Sequence, residues 1–374
     1  MAKSKLLDTH ETRRVLLLGI YAPYNKTRDI EGYYEEFINL AKTNGLTTEF
    51  TLFMKIRDID PAYFLTKGKL EQVKTYCDAH QIEEVVCSEA LSVQQERNLS
   101  DFLACDVYDR TQLILEIFEK AAHSAEGKTQ VAIAMLQHRK SRVAGKGIHL
   151  SQQAGHVGVR GGPGETAKER ELRYIEDQIH KFKKQLVQIE KSRATQRKRR
   201  LESGLPLMCL IGYTNAGKST ILNALTKSHV LVEDKLFATL DATTRELFIG
   251  TQKIGLLSDT VGFIQKLPHH LIDAFKSTLA ELQYADLLLH VVDSSDSNWE
   301  TQIKVVHEVL DDLGVAKDML YVFNKIDRVS DPIQLKHLCE RYQPQVFTAA
   351  TKSDGLDELK DFLLQWHKIH ISVT

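Results

Sequence analysis

The residues best equipped for chemistry lie in the C-terminal half. Gly212-Tyr213-Thr214-Asn215-Ala216-Gly217-Lys218-Ser219 fits the spacing GxxxxGK[ST]. The apolar run LMCLI precedes it and ILNALTK follows, so strand, loop and helix come in the order a phosphate loop requires. Glycines let backbone N–H groups curl around phosphate oxygens, and the start of the following helix adds its dipole. In this geometry Lys218 reaches the β- and γ-phosphates and Ser219 binds Mg²⁺.

Two further motifs follow in order. LLSDTVGF (256–263) is an apolar strand ending in Asp259, then Thr260, Val261 and Gly262. The carboxylate suits the hydration shell of Mg²⁺, and the Gly262 N–H suits the γ-phosphate. MLYVFNKIDRV (319–329) sets Asn324-Lys325-Ile326-Asp327 after a third strand. A carboxylate at Asp327 accepts from N1–H and the exocyclic amine of guanine. Adenine lacks those donors, so the motif predicts GTP over ATP.

Softer elements surround this core. FATLDATTR (237–245) occupies the place of a first switch, covering Phe237, Ala238, Thr239, Leu240 and Asp241. Thr239 is the first choice to complete the Mg²⁺ shell, with Thr243 and Thr244 as rivals. Ala349-Ala350-Thr351 stands where a loop would lean on the base. Asp293, at the end of the strand in YADLLLHVVDSSD (284–296), reads as structural. Phe263 stands where Ras-like enzymes hold a water-orienting Gln. Lys218, Thr239 and Gly262 are then the catalytic candidates, and unaided hydrolysis is expected to be slow.

These motifs need a scaffold. Residues 14–123 alternate strand-like runs (14–21, 47–56, 83–88, 105–110) with amphipathic stretches (31–44, 67–80, 92–103), predicting a small α/β domain with a mainly parallel sheet. From Thr111 the pattern turns helical, with Gly127 as the expected break. Residues 145–165 carry seven glycines and read as a loop. A second long helix opens at Thr166, with an apolar seam at Leu172, Ile175, Ile179, Phe182, Leu186 and Ile189 that asks for a partner helix. The expected architecture is α/β: an N-terminal domain (14–123), an antiparallel helical hairpin (124–202) with the Gly-rich loop (145–165) at its tip, and a P-loop GTPase domain (205–369).

The chain has 374 residues, 43% hydrophobic and 26% charged, which excludes disordered and low-complexity classes. No run approaches the ~20 apolar residues that a bilayer crossing needs. Five cysteines without a CxxC pair suit a reducing compartment, predicting a cytoplasmic protein. Net charge is −1, but residues 138–200 hold 17 Lys/Arg against 6 Asp/Glu. Arg160, Arg193, Arg197, Lys198, Arg199 and Arg200 are the candidates to meet RNA phosphates.

The whole chain resembles the HflX family of translation-factor-class GTPases. DIDPAYFLTKGKLEQV, YDRTQLILEIF, AHSAEGKTQVAIAMLQH and GHVGVRGGPGETAKERELR carry the likeness in the first half. FATLDATTR, DTVGFIQKLPHHLIDAFKSTLAEL and NKID carry it in the second. The resemblance implies a Mg²⁺-dependent GTP/GDP cycle on Gly212–Ser219, Phe237–Asp241, Asp259–Gly262 and Asn324–Asp327. It also implies binding to ribosomal RNA, chiefly on the large ribosomal subunit, and splitting of stalled ribosomes when loaded with GTP; separately, a monomer is expected. RGGPGE has one glycine more than the family's usual RGPGE, and the chain is expected to lack the extra C-terminal domain of some members. An rRNA-binding module whose nucleotide only tunes affinity is the alternative; NKID opposes an ATP-driven RNA remodeller.

Overall fold

The computed structural model describes residues 13–25, 27, 29–145, 167–202, 204–226, 235–241, 243–266, 279–352 and 354–371. The chain divides into two compact units, one of Met1–Lys120 with Val131–Gln185, the other of Ala121–Gln130 with Leu186–Thr374.

The first unit is built on strands β1 (Val15–Tyr21), β2 (Phe50–Lys55), β3 (Glu84–Cys87) and β4 (Asp106–Asp109), in the order β2-β1-β3-β4. All three pairings are parallel. Parallel neighbours require crossovers, supplied by α1 (Ile30–Asn44), α2 (Lys67–His80) and α3 (Val93–Leu103). Phe50, Leu52, Met54 and Ile56 join one apolar cluster with Leu16, Leu18, Val85 and Val107, as their alternation predicts. Local chemistry sets the helix starts: Asp29 caps α1, and Ser92 with Gln95 forms a capping box on α3. Asp60 and Asp109 also serve turns, accepting from Ala62 and Tyr63 and from Leu91 and Gln112 respectively.

After β4 come α4 (Arg110–Ala121), α5 (Ala125–Gly145) and α6 (Ala167–Glu202). The break between α4 and α5 falls at 122–124, one turn earlier than the sequence suggests. Ser124 causes it, because its hydroxyl accepts from the Gly127 N–H at 2.9 Å and starts α5 there. Gly127 is therefore inside the first turn of α5. Within the first unit α5 and α6 run antiparallel, since Ala144 meets Lys168 while Lys140 meets Glu176. Val143, Ile175 and Ile179, with Leu136 and Leu172, form the seam. Phe182, Leu186 and Ile189 further along α6 are only half-buried. Most of the Gly-rich stretch (146–166), with Arg160 and Thr166, lies outside the described residues, as do the side chains of Arg197, Lys198, Arg199 and Arg200.

Among the described residues the second unit holds six strands, β5 (Leu207–Gly212), β6 (Thr243–Ile249), β7 (Gln252–Asp259), β8 (Leu287–Asp293), β9 (Met319–Asn324) and β10 (Gln345–Phe347), ordered β10-β9-β8-β5-β7-β6. Only β6 is antiparallel to its neighbour. Helices α7 (Lys218–Thr226), α8 (Trp299–Asp312), α9 (Pro332–Cys339) and α10 (Asp357–Ile371) pack with them. The sheet ends β5, β7 and β9 together, so Gly212, Asp259 and Asn324 emerge along one edge, where α/β sheets bind ligands.

Candidate nucleotide site

A cleft opens over the start of α7. It is lined by Thr214, Asn215, Gly217, Lys218, Ser219, Thr220, Lys235, Phe237, Ala238, Thr239, Thr260 and Gly262. Gly217 takes φ +99°, and a β-carbon there would lie 2.3 Å from Asn324 Nδ2, so this turn admits only glycine. The Asn324 amide in turn donates to the Ala216 carbonyl at 2.9 Å, tying NKID to the phosphate loop.

Three oxygen-bearing side chains converge beside the loop. The Ser219 hydroxyl donates to Asp259 Oδ2 at 2.5 Å and lies 2.7 Å from the Thr239 hydroxyl. Among the described residues, the other Asp259 oxygen, Oδ1, is buried with no hydrogen-bond partner. The two rival threonines are turned elsewhere: Thr244 donates to Ser258 Oγ at 3.1 Å and Thr243 to the Asp241 carbonyl at 3.5 Å.

Lys218 is buried and donates to the carbonyls of Gly212 (3.2 Å) and Tyr213 (2.8 Å). Burial pulls its ammonium down to about 8, partly opposed by Asp259. Burial likewise pushes the Asp259 carboxyl up, against the pull of Lys218, Ser219 and Thr239. Both charges are expensive to keep dry, a pattern typical of sites that await a charged ligand.

Phe263 is buried and clamped to the phosphate loop. Its N–H donates to the Gly212 carbonyl at 3.2 Å, and its carbonyl accepts from Thr214 N–H at 2.8 Å. Tyr213 reinforces this clamp, its hydroxyl accepting from the Gln265 N–H at 2.7 Å. Thr260 donates to the Leu210 carbonyl, and Val261 and Leu240 are buried.

At the other end of the cleft, Asn324 Oδ1 accepts from the Thr348 hydroxyl (3.1 Å) and the Ala350 N–H (3.2 Å), which seats the Ala349-Ala350-Thr351 loop. Asp327 is exposed on the 3-10 turn Ile326–Arg328. Lys325 donates to Asp293 Oδ2 at 2.6 Å, so Asp293 touches the motif instead of only ending a strand.

Thr348 and Lys235 are not singled out by the sequence, and Asp293 reads there only as structural. The only trace of Asp293 was an acidic residue at the C-terminal end of an apolar strand. Asp241 is engaged away from the cleft, by His123 and Ser124. Arg193 departs from its expected role as an outward RNA contact. Its guanidinium sits 2.7 Å from Glu126 and 3.6 Å from Glu281, an internal ion pair.

Three family models match in series: "GTP-binding GTPase N-terminal" over residues 31–119, "GTP-binding GTPase Middle Region" over 121–200, and "50S ribosome-binding GTPase" over 207–325. GTPase HflX of Caldanaerobacter subterraneus subsp. tengcongensis is 44% identical over 94% of this chain and 80% of its own. GTPase HflX of Escherichia coli K12 is 39% identical over 85% of this chain and 74% of its own. The chain belongs to the HflX GTPase family. As a member it is a GTP hydrolase. The solved SsGBP–GDP complex, 23% identical with a TM-score of 0.50 over 95% of this chain and 98% of that one, shares the fold. Among the described residues, no helix is long and apolar enough to cross a membrane.

Proposed function

We propose that this HflX-family GTPase binds the large ribosomal subunit in its GTP state and separates or rescues stalled ribosomes. Hydrolysis to GDP resets it. The observation that carries the reading is the meeting of Thr239, from the first switch, with Ser219 and Asp259. A switch threonine that reaches the phosphate loop responds to the terminal phosphate, and a nucleotide-gated partner follows from that. The match described as "50S ribosome-binding GTPase" and the basic helical hairpin support the ribosome as that partner.

The donor set fits Mg²⁺. Ser219 Oγ, Thr239 Oγ1 and Asp259 are all hard oxygen donors, and they would hold the ion, Asp259 through its hydration shell. Mg²⁺ bound there would neutralise charge on the β- and γ-phosphate oxygens. The rest belongs to the chain. Backbone N–H groups of Asn215 to Ser219 cradle the phosphates, and Lys218 leaves its two carbonyls for them. A polyanion beside Lys218 restores the proton that burial weakens. Gly262 N–H meets the γ-phosphate, and Asp327, with Asn324 and Lys325, reads guanine.

The Phe263 side chain has no polar atom to align water, and its ring is buried. Basal turnover is therefore slow and rises on the ribosome, which supplies or orders the missing group. The same partner implies a cytoplasmic protein.

The test is subunit separation, followed by light scattering, with GTP, a non-hydrolysable GTP analogue or GDP. The reading expects one round of separation with the analogue, none with GDP, and markedly faster hydrolysis when large subunits are added. Equal ribosome binding in all three states, with no separation, would leave only an rRNA-binding module.

A further inference from the structure

Asp241 lies two residues past Thr239, yet both its carboxylate oxygens are taken up outside the cleft. Oδ2 accepts from the backbone N–H groups of His123 (2.9 Å) and Ser124 (2.7 Å), and Oδ1 accepts from the Ser124 hydroxyl at 2.5 Å. That hydroxyl caps α5 by accepting from Gly127 N–H. The switch carboxylate thus forms an outer layer of the helix cap, 117 residues away in sequence. Charge-assisted bonds of this kind are roughly twice as strong as neutral ones, and here three converge on one group. The fit is tight: a β-carbon at Gly127 would fall 2.2 Å from Asp241 Oδ1. The same turn is braced through Glu126, buried against Arg193, which also approaches Glu281. All of these residues belong to the nucleotide-binding unit.

We propose that Asp241 is a positioning residue for GTP recognition: anchored on Ser124 and His123, it holds Thr239 against Ser219. The inference rests on the reading of Thr239 given above. Two residues span at most about 7 Å, so while Asp241 is held at its anchor Thr239 is confined to within that reach of it. GDP lacks the phosphate that Thr239 answers. The first turn of α5 therefore governs affinity for GTP and is silent toward GDP. A merely structural contact would weaken both nucleotides or neither.

The experiment compares Kd for fluorescent GDP and a fluorescent non-hydrolysable GTP analogue on the full chain with Mg²⁺. Asp241→Ala is expected to lower the analogue-to-GDP affinity ratio roughly tenfold, the loss of a charged hydrogen-bond network, with GDP affinity unchanged. Gly127→Ala attacks the anchor from the other side. It makes α5 a better helix by intrinsic propensity, so a matching fall in the ratio cannot come from an unwound helix. Ser124→Ala should behave like Asp241→Ala, and Ser124→Thr should restore the ratio because the hydroxyl is kept. An unchanged ratio in Asp241→Ala and Gly127→Ala, or equal losses for both nucleotides, overturns the proposal. Thr239→Ala separates the two layers of inference. If it leaves the ratio intact, the reading of Thr239 fails and the anchor falls with it. If it lowers the ratio while Asp241→Ala and Gly127→Ala do not, the anchor alone is wrong.

Discussion

Single residues divide into those that announce themselves and those that act through a neighbour. Lys218, Ser219, Asp259 and Asn324 were legible because each sits in a short motif whose spacing has one physical use. Asp293 was not, because its partner Lys325 is 32 residues away and only the parallel register of β8 and β9 joins them. The ion pair is partly buried, and it fixes the lysine two residues before Asp327, the carboxylate proposed to read guanine. Asp293→Ala should therefore weaken GDP and GTP alike by about tenfold, worth ~1.4 kcal/mol. Equilibrium binding of both nucleotides checks this. A change confined to GTP would mean that Asp293 serves the switch and not the base. Gly127 illustrates the opposite error: glycine signals both helix breaks and close approaches, and the sequence alone favours the commoner meaning.

At the scale of elements, periodicity predicted most strands and helices, since burial of β1, β5 and β8 leaves near-continuous apolar runs. It could not say what a polar residue does inside such a run. His290 lies in the middle of β8, buried, with no partner for Nδ1 among the described residues and with His307 and Tyr321 as ring neighbours. Burial, helped by the charges of His307 and Lys218, pulls its imidazole down to about 3 from the ordinary 6.5. The folded chain thus keeps His290 neutral where the unfolded chain already binds a proton. Stability is complete above pH 6.5 and drains away as pH falls below it, by up to about 1.4 kcal/mol per unit. Urea unfolding at pH 7.5 and 5.5 should show this loss, and His290→Leu should flatten it. Identical pH dependence in the two proteins would assign the acid sensitivity to other groups.

For the whole molecule, charge placement matters more than net charge. Arg139 and Lys140 pair with Glu171 and Glu176, and Arg193 is committed to Glu126. Several positive charges counted along the sequence are thereby spent within the protein, an outcome no one-dimensional tally reveals. Lys181, Lys183, Lys184 and Lys191 remain exposed along α6. If this helix lies on ribosomal RNA, log affinity for ribosomes should fall linearly with log salt. Replacing Lys183 and Lys184 by Ala should reduce that slope by about 1 for each phosphate left without its lysine. A slope that is zero, or untouched by the double substitution, would remove α6 from the interface.

The nucleotide-binding unit borrows ten residues, Ala121–Gln130, from far upstream of its own phosphate loop. A chimera that exchanges GTPase halves between relatives at the linker before β5 would thus carry a foreign docking turn beneath its first switch. Grafts that bring 121–130 along with the donor half keep the matched pair, and only those should inherit the donor's nucleotide preference.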